Sequence, residues 1–299
     1  MATEIASIAE EDEILLAKER LFLETRRTNN EPAEIFGPDR ESVKKIAALM
    51  AAGGVVAIPW GSVERRIIIL GTSHDNSEST QILNEIKGRP ARQVLAVGCL
   101  PETVHLVARV EDSIPLANAA KKLFGVDQVN EKLLTETLDK LYDKNSLGLI
   151  LKAKSHLPDA ITASKDGDRT VMVMGASDYK DEFDVYNWVL WELATRYGKA
   201  VAGTSANESG QVVYSVTEQK DAYEALKYKV DGFVMFDEVP EGSPDKDSVA
   251  SSTAIDLTGE HPVVMRWGSQ SPLRFKEFFP DLIVPENVSR EEHAEIWEP

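Results

Sequence analysis

Cysteine is almost missing from this sequence: Cys99 is the single one among 299 residues. One thiol excludes an internal disulfide framework and any cysteine-rich metal site. A reducing, cytoplasmic setting is the simplest reading of that usage. Long apolar runs are missing too. No stretch approaches the roughly 20 residues that a helix needs to span a bilayer, so no membrane partner is expected. The opening MATEIASIAEEDEILLAKER is acidic and has neither the basic stretch nor the apolar block of a secretory signal. Positive charge is in deficit: 33 Lys and Arg stand against 50 Asp and Glu, a formal net charge of -17. That balance argues against a general nucleic-acid binder, DNA included, whose surface should be broadly basic. It leaves room for a local basic pocket, because exposed charges beyond about 10 Å are largely screened at physiological salt. The five histidines show no H-E-x-x-H or comparable metal-ligand spacing. No internal repeat is visible.

What is present is a globular composition, 42% hydrophobic and 28% charged, with enough apolar residues for a sizeable core. The length permits one large domain or two ordinary ones, and no linker separates two large halves. Residues 1–37 read as an N-terminal helical extension. Ile14, Leu15, Leu16, Leu21 and Leu23 lie among Glu, Lys and Arg, as in an amphipathic helix. The main unit is expected over 38–270, with a surface-packed tail over 271–299.

Within that unit, apolar strands and amphipathic helices alternate, which reads as α/β. Ser42 is expected to cap a helix that carries Val43, Ile46, Ala47 and Met50 on one face. Gly53-Gly54 closes that helix, and the strand Val55 to Ile58 follows, stopped by Pro59. Ile67 to Leu70 forms a second apolar run. Leu133, Leu134, Leu138 and Leu141 recur at helical spacing and belong to the core. Strands are expected at Gly148 to Leu151 and Thr170 to Met174, then a helix from Asp184 closed by Gly198. Its tryptophans at 188 and 191 read as packing residues. The acidic stretch 237–251, rich in Pro, Gly and Ser, reads as a surface loop.

Two short stretches carry chemistry. Ala200 to Thr204 reads as a buried strand, followed at once by Ser205-Ala206-Asn207. In an open α/β sheet, ligands sit beyond the carboxyl ends of strands, where such a turn lies. Asn offers a donor and an acceptor, and Ser a hydroxyl that serves as either. Lys87-Gly88-Arg89-Pro90 fixes a turn with two cations around a glycine. Lys gives a mobile point charge and Arg a planar fork suited to phosphate or carboxylate. Taken alone, the first stretch also reads as a plain turn and the second as a solvated basic one.

Together these pieces resemble the YrdC/TsaC family, the L-threonylcarbamoyladenylate synthases, from about Asp39 to Gly268. The family's GG-V-V-A-x-P strand is similar to Gly53-Gly54-Val55-Val56-Ala57-Ile58-Pro59. Its K-x-R motif looks like Lys87-Gly88-Arg89, and its S-x-N motif like Ser205-Ala206-Asn207 with the following Ser209-Gly210. Its S-T-V-V-D-L-T segment looks like Ser252 to Thr258, and its closing R-x-G like Arg266-Trp267-Gly268. The resemblance implies a single domain with a twisted mixed β-sheet, flanking helices and a concave cavity. It implies that Lys87 and Arg89 are catalytic and face phosphates or the carbamate. Ser205, Asn207, Ser252 and Arg266 would complete the nucleotide site. The implied reaction joins L-threonine, bicarbonate and ATP, with Mg2+ accompanying the ATP, into threonylcarbamoyl-AMP for tRNA t6A modification. The partners are then ATP or AMP, a small amino acid or amine with bicarbonate, and an indirect link to tRNA.

The sequence departs from the family on the amino-acid side. Where the family carries P-T-D-T-V-Y-G-L, this chain has Pro59 to Arg66, keeping the proline, the valine and, in Ser62, a hydroxyl. Trp60 and Ser62 are the candidate substrate-pocket residues, Trp60 either reshaping the pocket or filling it. The P-G-P-L-T segment has no good counterpart near Asn145 to Leu149. In the T-V-x-V-R-x-P strand, Met174 stands for the arginine. The nucleotide side is kept and the amino-acid side rebuilt. Two alternatives follow: a non-catalytic protein that binds a nucleotide or RNA in the old cavity, and carbamoyl-adenylate chemistry on another small-molecule acceptor. Lys87→Ala and Arg89→Ala are expected to abolish turnover and leave the thermal melt nearly unchanged.

Overall fold

Two apolar runs build the middle of the sheet, and they are buried on both faces. In Ile67–Ser73 every residue is buried, and in Val56–Trp60 only the terminal Trp60 is partly open. Val56, Ile58, Ile67 and Ile69 point into one hydrophobic cluster, while Ala57, Ile68 and Leu70 point into the other. The two-residue period of a strand sorts alternate side chains to opposite faces in this way. The computed structural model describes residues 2–60, 67–88, 94–143, 147–175, 184–207, 213–239, 252–268 and 270–288, with side chains described from residue 12.

Among these residues the strands are β1 (Glu34–Phe36), β2 (Val56–Trp60), β3 (Ile67–Ser73), β4 (Ala96–Cys99), β5 (Leu147–Lys152), β6 (Ala163–Lys165), β7 (Asp168–Gly175), β8 (Val201–Ser205), β9 (Gly232–Val234), β10 (Thr253–Asp256) and β11 (Val263–Arg266). The helices are α1 (Ala2–Asn29), α2 (Arg40–Ala51), α3 (Ser77–Ile86), α4 (Ile114–Phe124), α5 (Glu131–Tyr142), α6 (Val185–Tyr197) and α7 (Gln219–Leu226). All strands join one mixed sheet in the order β1-β9-β2-β3-β8-β4-β7-β5-β10-β11, with β6 paired to β7. Helices α1, α2 and α6 pack together on one side, and α3 lies on β3 and β8. This is the α/β mixed sheet that the sequence led us to expect.

Local details differ from the sequence reading for identifiable reasons. The cap of α2 is Asp39, whose Oδ1 accepts the backbone N–H groups of Glu41 and Ser42 at 2.9 Å each. Ser42 sits inside the helix and donates its hydroxyl to Asp39 Oδ2 at 2.7 Å. A carboxylate at the N-terminus also meets the positive end of the helix dipole. Strand β2 runs through Pro59 rather than stopping there. Pro59 pairs with Ile68, whose N–H and C=O turn the other way, to Tyr214 and Ala206. The missing N–H of Pro59 therefore faces the β9 side, where pairing has ended at Ala57. Proline is tolerated in a strand at such an unpaired position.

The extension and the tail are built into the sheet. Residues 34–36 form the edge strand β1, parallel to β9. Helix α1 is tied down by Asp231, which accepts from Arg26 Nη1 and Arg27 Nη2 at 2.8 Å each and from the Val55 N–H at 2.9 Å. Arg27 also donates to the Gly53 carbonyl, and Arg26 to the carbonyls of Lys227 and Val230. At the other end, Phe275 and Phe279 are buried in the core, and Ile283 exchanges backbone hydrogen bonds with Pro262 and Val264.

Glycines let two tyrosines lie flat against the sheet. A Cβ at Gly98 would stand 1.8 Å from the Tyr186 hydroxyl, and one at Gly175 1.8 Å from the Tyr142 ring. The two rings belong to opposite core clusters.

Two expected outcomes follow from the buried polar groups. Asp231→Ala leaves two arginines without their buried partner, which costs about 3–5 kcal/mol, and thermal unfolding of the variant should show a drop on the order of 10 °C. His74, just beyond β3, is buried, and its Nδ1 accepts the Ala200 N–H at 3.1 Å. Burial is the largest cause holding its pKa below 6.5, with Lys199 and His156 adding to it and Asp75 opposing. A lowered folded pKa means that the neutral ring stabilises the fold above about pH 6.5 and that this contribution fades as pH falls further. Urea unfolding at pH 7.5 and pH 5 should show the wild type losing more stability than His74→Asn, which does not titrate.

Candidate functional site

The site begins with the end of α3. Asn76 caps this helix, its Oδ1 accepting the Ser79 N–H at 2.9 Å. Thr80, Leu83, Asn84 and Lys87 are all buried along one face, at the spacing that stacks side chains on one side of a helix. Lys87 closes the helix, and Gly88, at φ 61°, turns the chain away in a left-handed conformation that glycine adopts without strain.

From there the Lys87 ammonium crosses to the end of β8. Its Nζ donates to the Ser205 carbonyl at 2.9 Å, to Ser205 Oγ at 3.0 Å and to Asn207 Oδ1. Ser205 Oγ in turn donates to Asn207 Oδ1 at 2.6 Å. An ammonium has three donors and no acceptor, and these contacts offer it three acceptors. Lys87 is 1% exposed. Two stretches more than a hundred residues apart thus form one buried polar knot. The backbone holds it in place: β8 pairs with β3, and the Ala206 N–H continues that pairing onto the Ile68 carbonyl at 2.9 Å.

Ser252 and Arg266 form a second group. Arg266 Nε donates to the Ser252 carbonyl at 2.8 Å, joining the start of β10 to the end of β11. Thr253 reinforces the joint, donating to the Gln270 carbonyl at 2.6 Å and accepting the Gly268 N–H at 3.2 Å. The pairing registers locate the two groups relative to each other. Ala202, Val97, Val173, Leu149 and Ile255 form one row across β8, β4, β7, β5 and β10. Strands β8 and β10 run in the same direction, yet Ser205 lies beyond this row and Ser252 before it. Four strand steps, about 19 Å along the sheet, also separate the two strands. Lys87, Ser205 and Asn207 are brought together by hydrogen bonds, and Ser252 is joined to Arg266.

Other expected residues fall differently. Arg89, Ser62, the 61–66 segment, Ser209-Gly210 and residues 240–251 lie outside the described residues. Trp60 is half-buried at the end of β2 and meets Tyr186 edge to face, with ring centroids 6.4 Å apart at 81°. That contact is packing, as a pocket-filling side chain makes. Trp188 is covered by the Arg40 guanidinium, 4.0 Å from its ring centroid, while Trp191 is half-exposed.

Sequence reasoning missed the acid of the S-T-A-I-D segment. Asp256 is 2% exposed, forms an ion pair with Lys165 on β6, and accepts from Thr258 N and Oγ1 at 2.8 and 2.6 Å. Beside it, Lys152 pairs with Asp168 at 2.8 Å and holds that carboxyl below the usual range. The polar stretch SKDGD was the available signal, since β6 and β7 form a hairpin around it. Among the described residues no group of three or more His, Cys, Asp and Glu side chains could hold a metal ion. No described helix is long and apolar enough to cross a membrane.

The comparisons with known proteins match the family and the fold. The family model Sua5_yciO_yrdC, described as "Telomere recombination", matches residues 48–268. Among solved structures, a doubly substituted P. abyssi Sua5 superposes with a TM-score of 0.60 at 20% identity, covering 85% of this chain and 65% of that one. P. abyssi Sua5 complexed with L-threonine gives 0.59 at 21% identity, covering 84% and 62%. E. coli YciO gives 0.53 at 16% identity, covering 83% of this chain and all of its own. This chain therefore spans less than two thirds of the length of these Sua5 chains and the whole of YciO. No curated protein matches the sequence.

Burial of Lys87 changes the expected effect of removing it. Lys87→Ala leaves the Ser205 and Asn207 acceptors without their buried donor, which costs about 1–3 kcal/mol. A thermal melt should drop by several degrees rather than stay unchanged. Arg89→Ala serves as the comparison, and equal melts for Lys87→Ala and the wild type would show that the knot does not form.

Proposed function

The chain belongs to the Sua5/YciO/YrdC family, and from that premise we propose that it is an ATP-dependent L-threonylcarbamoyladenylate synthase with a rebuilt amino-acid pocket. The observation that carries this reading is the meeting of Lys87 with Ser205 and Asn207. A cation and two directional polar groups converge on the end of one central strand. Joining threonine, bicarbonate and ATP gains most from fixed positions and from neutralised phosphate charge. The likeness to P. abyssi Sua5 complexed with L-threonine supports threonine as the first amino acid to try. Arg89, two residues after Lys87, supplies the fork for phosphate oxygens. Mg2+ enters as the ion carried by the ATP phosphates. Product would then serve tRNA t6A modification, so the link to tRNA is indirect, and the chain works in the cytoplasm.

One observation favours a second reading. Trp60 packs on Tyr186, which fills space at the end of β2 where the family's amino-acid segment begins. A different small amine as acceptor, or nucleotide binding without catalysis, accounts for that filling.

One reaction separates these readings: protein, ATP, magnesium, bicarbonate and L-threonine, followed by mass spectrometry for threonylcarbamoyl-AMP and by pyrophosphate release. The synthase reading expects both products, and a loss of about 100-fold or more in Arg89→Ala and Asn207→Ala. Pyrophosphate only with another amine moves the acceptor. ATP binding with no product under any amine leaves the binding-only reading.

A further inference from the structure

Three side-chain atoms of the knot form a closed triangle. Lys87 Nζ donates to Ser205 Oγ at 3.0 Å, and Ser205 Oγ donates to Asn207 Oδ1 at 2.6 Å. The third side is the bond from Lys87 Nζ to Asn207 Oδ1. One neutral oxygen thus accepts from an ammonium and a hydroxyl at once. Both groups donate toward it, which requires the carboxamide to turn its oxygen inward. An anionic oxygen held by the same two donors would occupy that same place.

The members of the triangle differ in how firmly they are held. Lys87 is 1% exposed and closes a helix that packs on β3 and β8. Ser205 ends β8 and pairs in register with Ile69. Asn207 lies two residues past that strand and is partly exposed. It is the member that can leave by turning its side chain, with the sheet unchanged. An ammonium has three protons, and the end of β8 already offers it three acceptors. A further oxygen bonds Nζ by taking the place of one of them.

We propose that Asn207 Oδ1 is a built-in stand-in for a phosphate oxygen: the free protein blocks its own anion site, and a phosphate group opens it by displacing the carboxamide. This rests on the reading above, in which the knot serves a nucleotide. Charge ranks the two occupants. An amide oxygen is only the negative end of a dipole. A phosphate oxygen carries net charge, and its attraction to the ammonium is strong where water is excluded. Without an anion, the carboxamide keeps the buried ammonium partnered, and an uncompensated buried charge is strongly destabilising. The same contact weakens binding, because an arriving anion must first break both bonds to Oδ1.

Calorimetry with inorganic pyrophosphate tests this, since that probe has no nucleoside to touch other residues. Asn207→Ala should bind it about tenfold more tightly than the wild type, because a hydrogen bond to a charged group no longer has to be broken. A side chain that only holds the anion predicts the opposite sign. Tighter anion binding beside the slower turnover expected of the same variant also excludes a general loss of structure. A crystal structure of the wild type with pyrophosphate needs no variant, should the alanine protein fail to fold. In it, Oδ1 should have left Nζ, with an anion oxygen in its place. Equal or weaker binding by Asn207→Ala overturns the proposal and leaves the synthase reading standing. So does a complex in which the Lys87–Asn207 bond persists beside the bound anion. Failure of the wild type and Asn207→Ala alike to bind pyrophosphate and ATP overturns the synthase reading itself.

Discussion

Burying an ammonium group is the constraint on which the middle of this structure turns. Lys87 is sealed from solvent, and an unpaired charge there would cost several kcal/mol. Three acceptors at the end of β8 meet it, and so the last turn of α3 and the end of β8 are held in one relative position. That requirement reaches further. The carbonyl of Ser205 faces away from β3, since the next N–H, that of Ala206, turns to Ile68, and it is open to Lys87 because the pairing of β8 with β4 has ended at Gly203. The turn to Asn207 must then fold back, and its N–H closes on the Ser205 carbonyl at 3.0 Å. A charge that appears, in the sequence, as one of two cations in a basic turn is therefore also a fold determinant.

Much of this architecture was legible because it rests on local rules. Leu134, Leu138 and Leu141 are buried on α5 as their spacing requires, and Asp184 and Gly198 bracket α6 as its N-cap and left-handed C-cap. What was not legible depends on partners distant in sequence. Nothing near Pro59 says that its missing N–H will face an unpaired side of the strand, because that side is decided by where β9 stops. Nothing near Arg26 and Arg27 announces Asp231, about 200 residues later. Those two arginines are the groups that fasten α1.

The site shows the same division. The order of the motifs was enough to group Lys87 with Ser205 and Asn207, and the structure joins them. Order does not encode that four strand steps, β8-β4-β7-β5-β10, lie between the strand of Ser205 and the strand that Ser252 precedes. Asp256 was passed over for a related reason. In sequence it is one more acid in a chain of net charge -17, and only the β6–β7 hairpin, by bringing Lys165 to it, gives it a partner.

The N-terminal region sharpens the distinction between a family domain and a folding unit. The family match begins at residue 48, inside α2, whereas the sheet begins at residue 34 and its edge is fastened from residue 26. Val55 opens the path into β2, and its N–H and C=O are both held by Asp231, through the side chain and the backbone N–H respectively. Arg26 and Arg27 neutralise the carboxylate that makes this possible. The central strand β2 therefore starts from a junction whose charge balance lies outside the shared region. A chain can keep a family's motifs and still depend on its own sequence to hold the sheet that presents them. Divergence at 60–66 and reinforcement at 26–36 then act at opposite ends of the same strand.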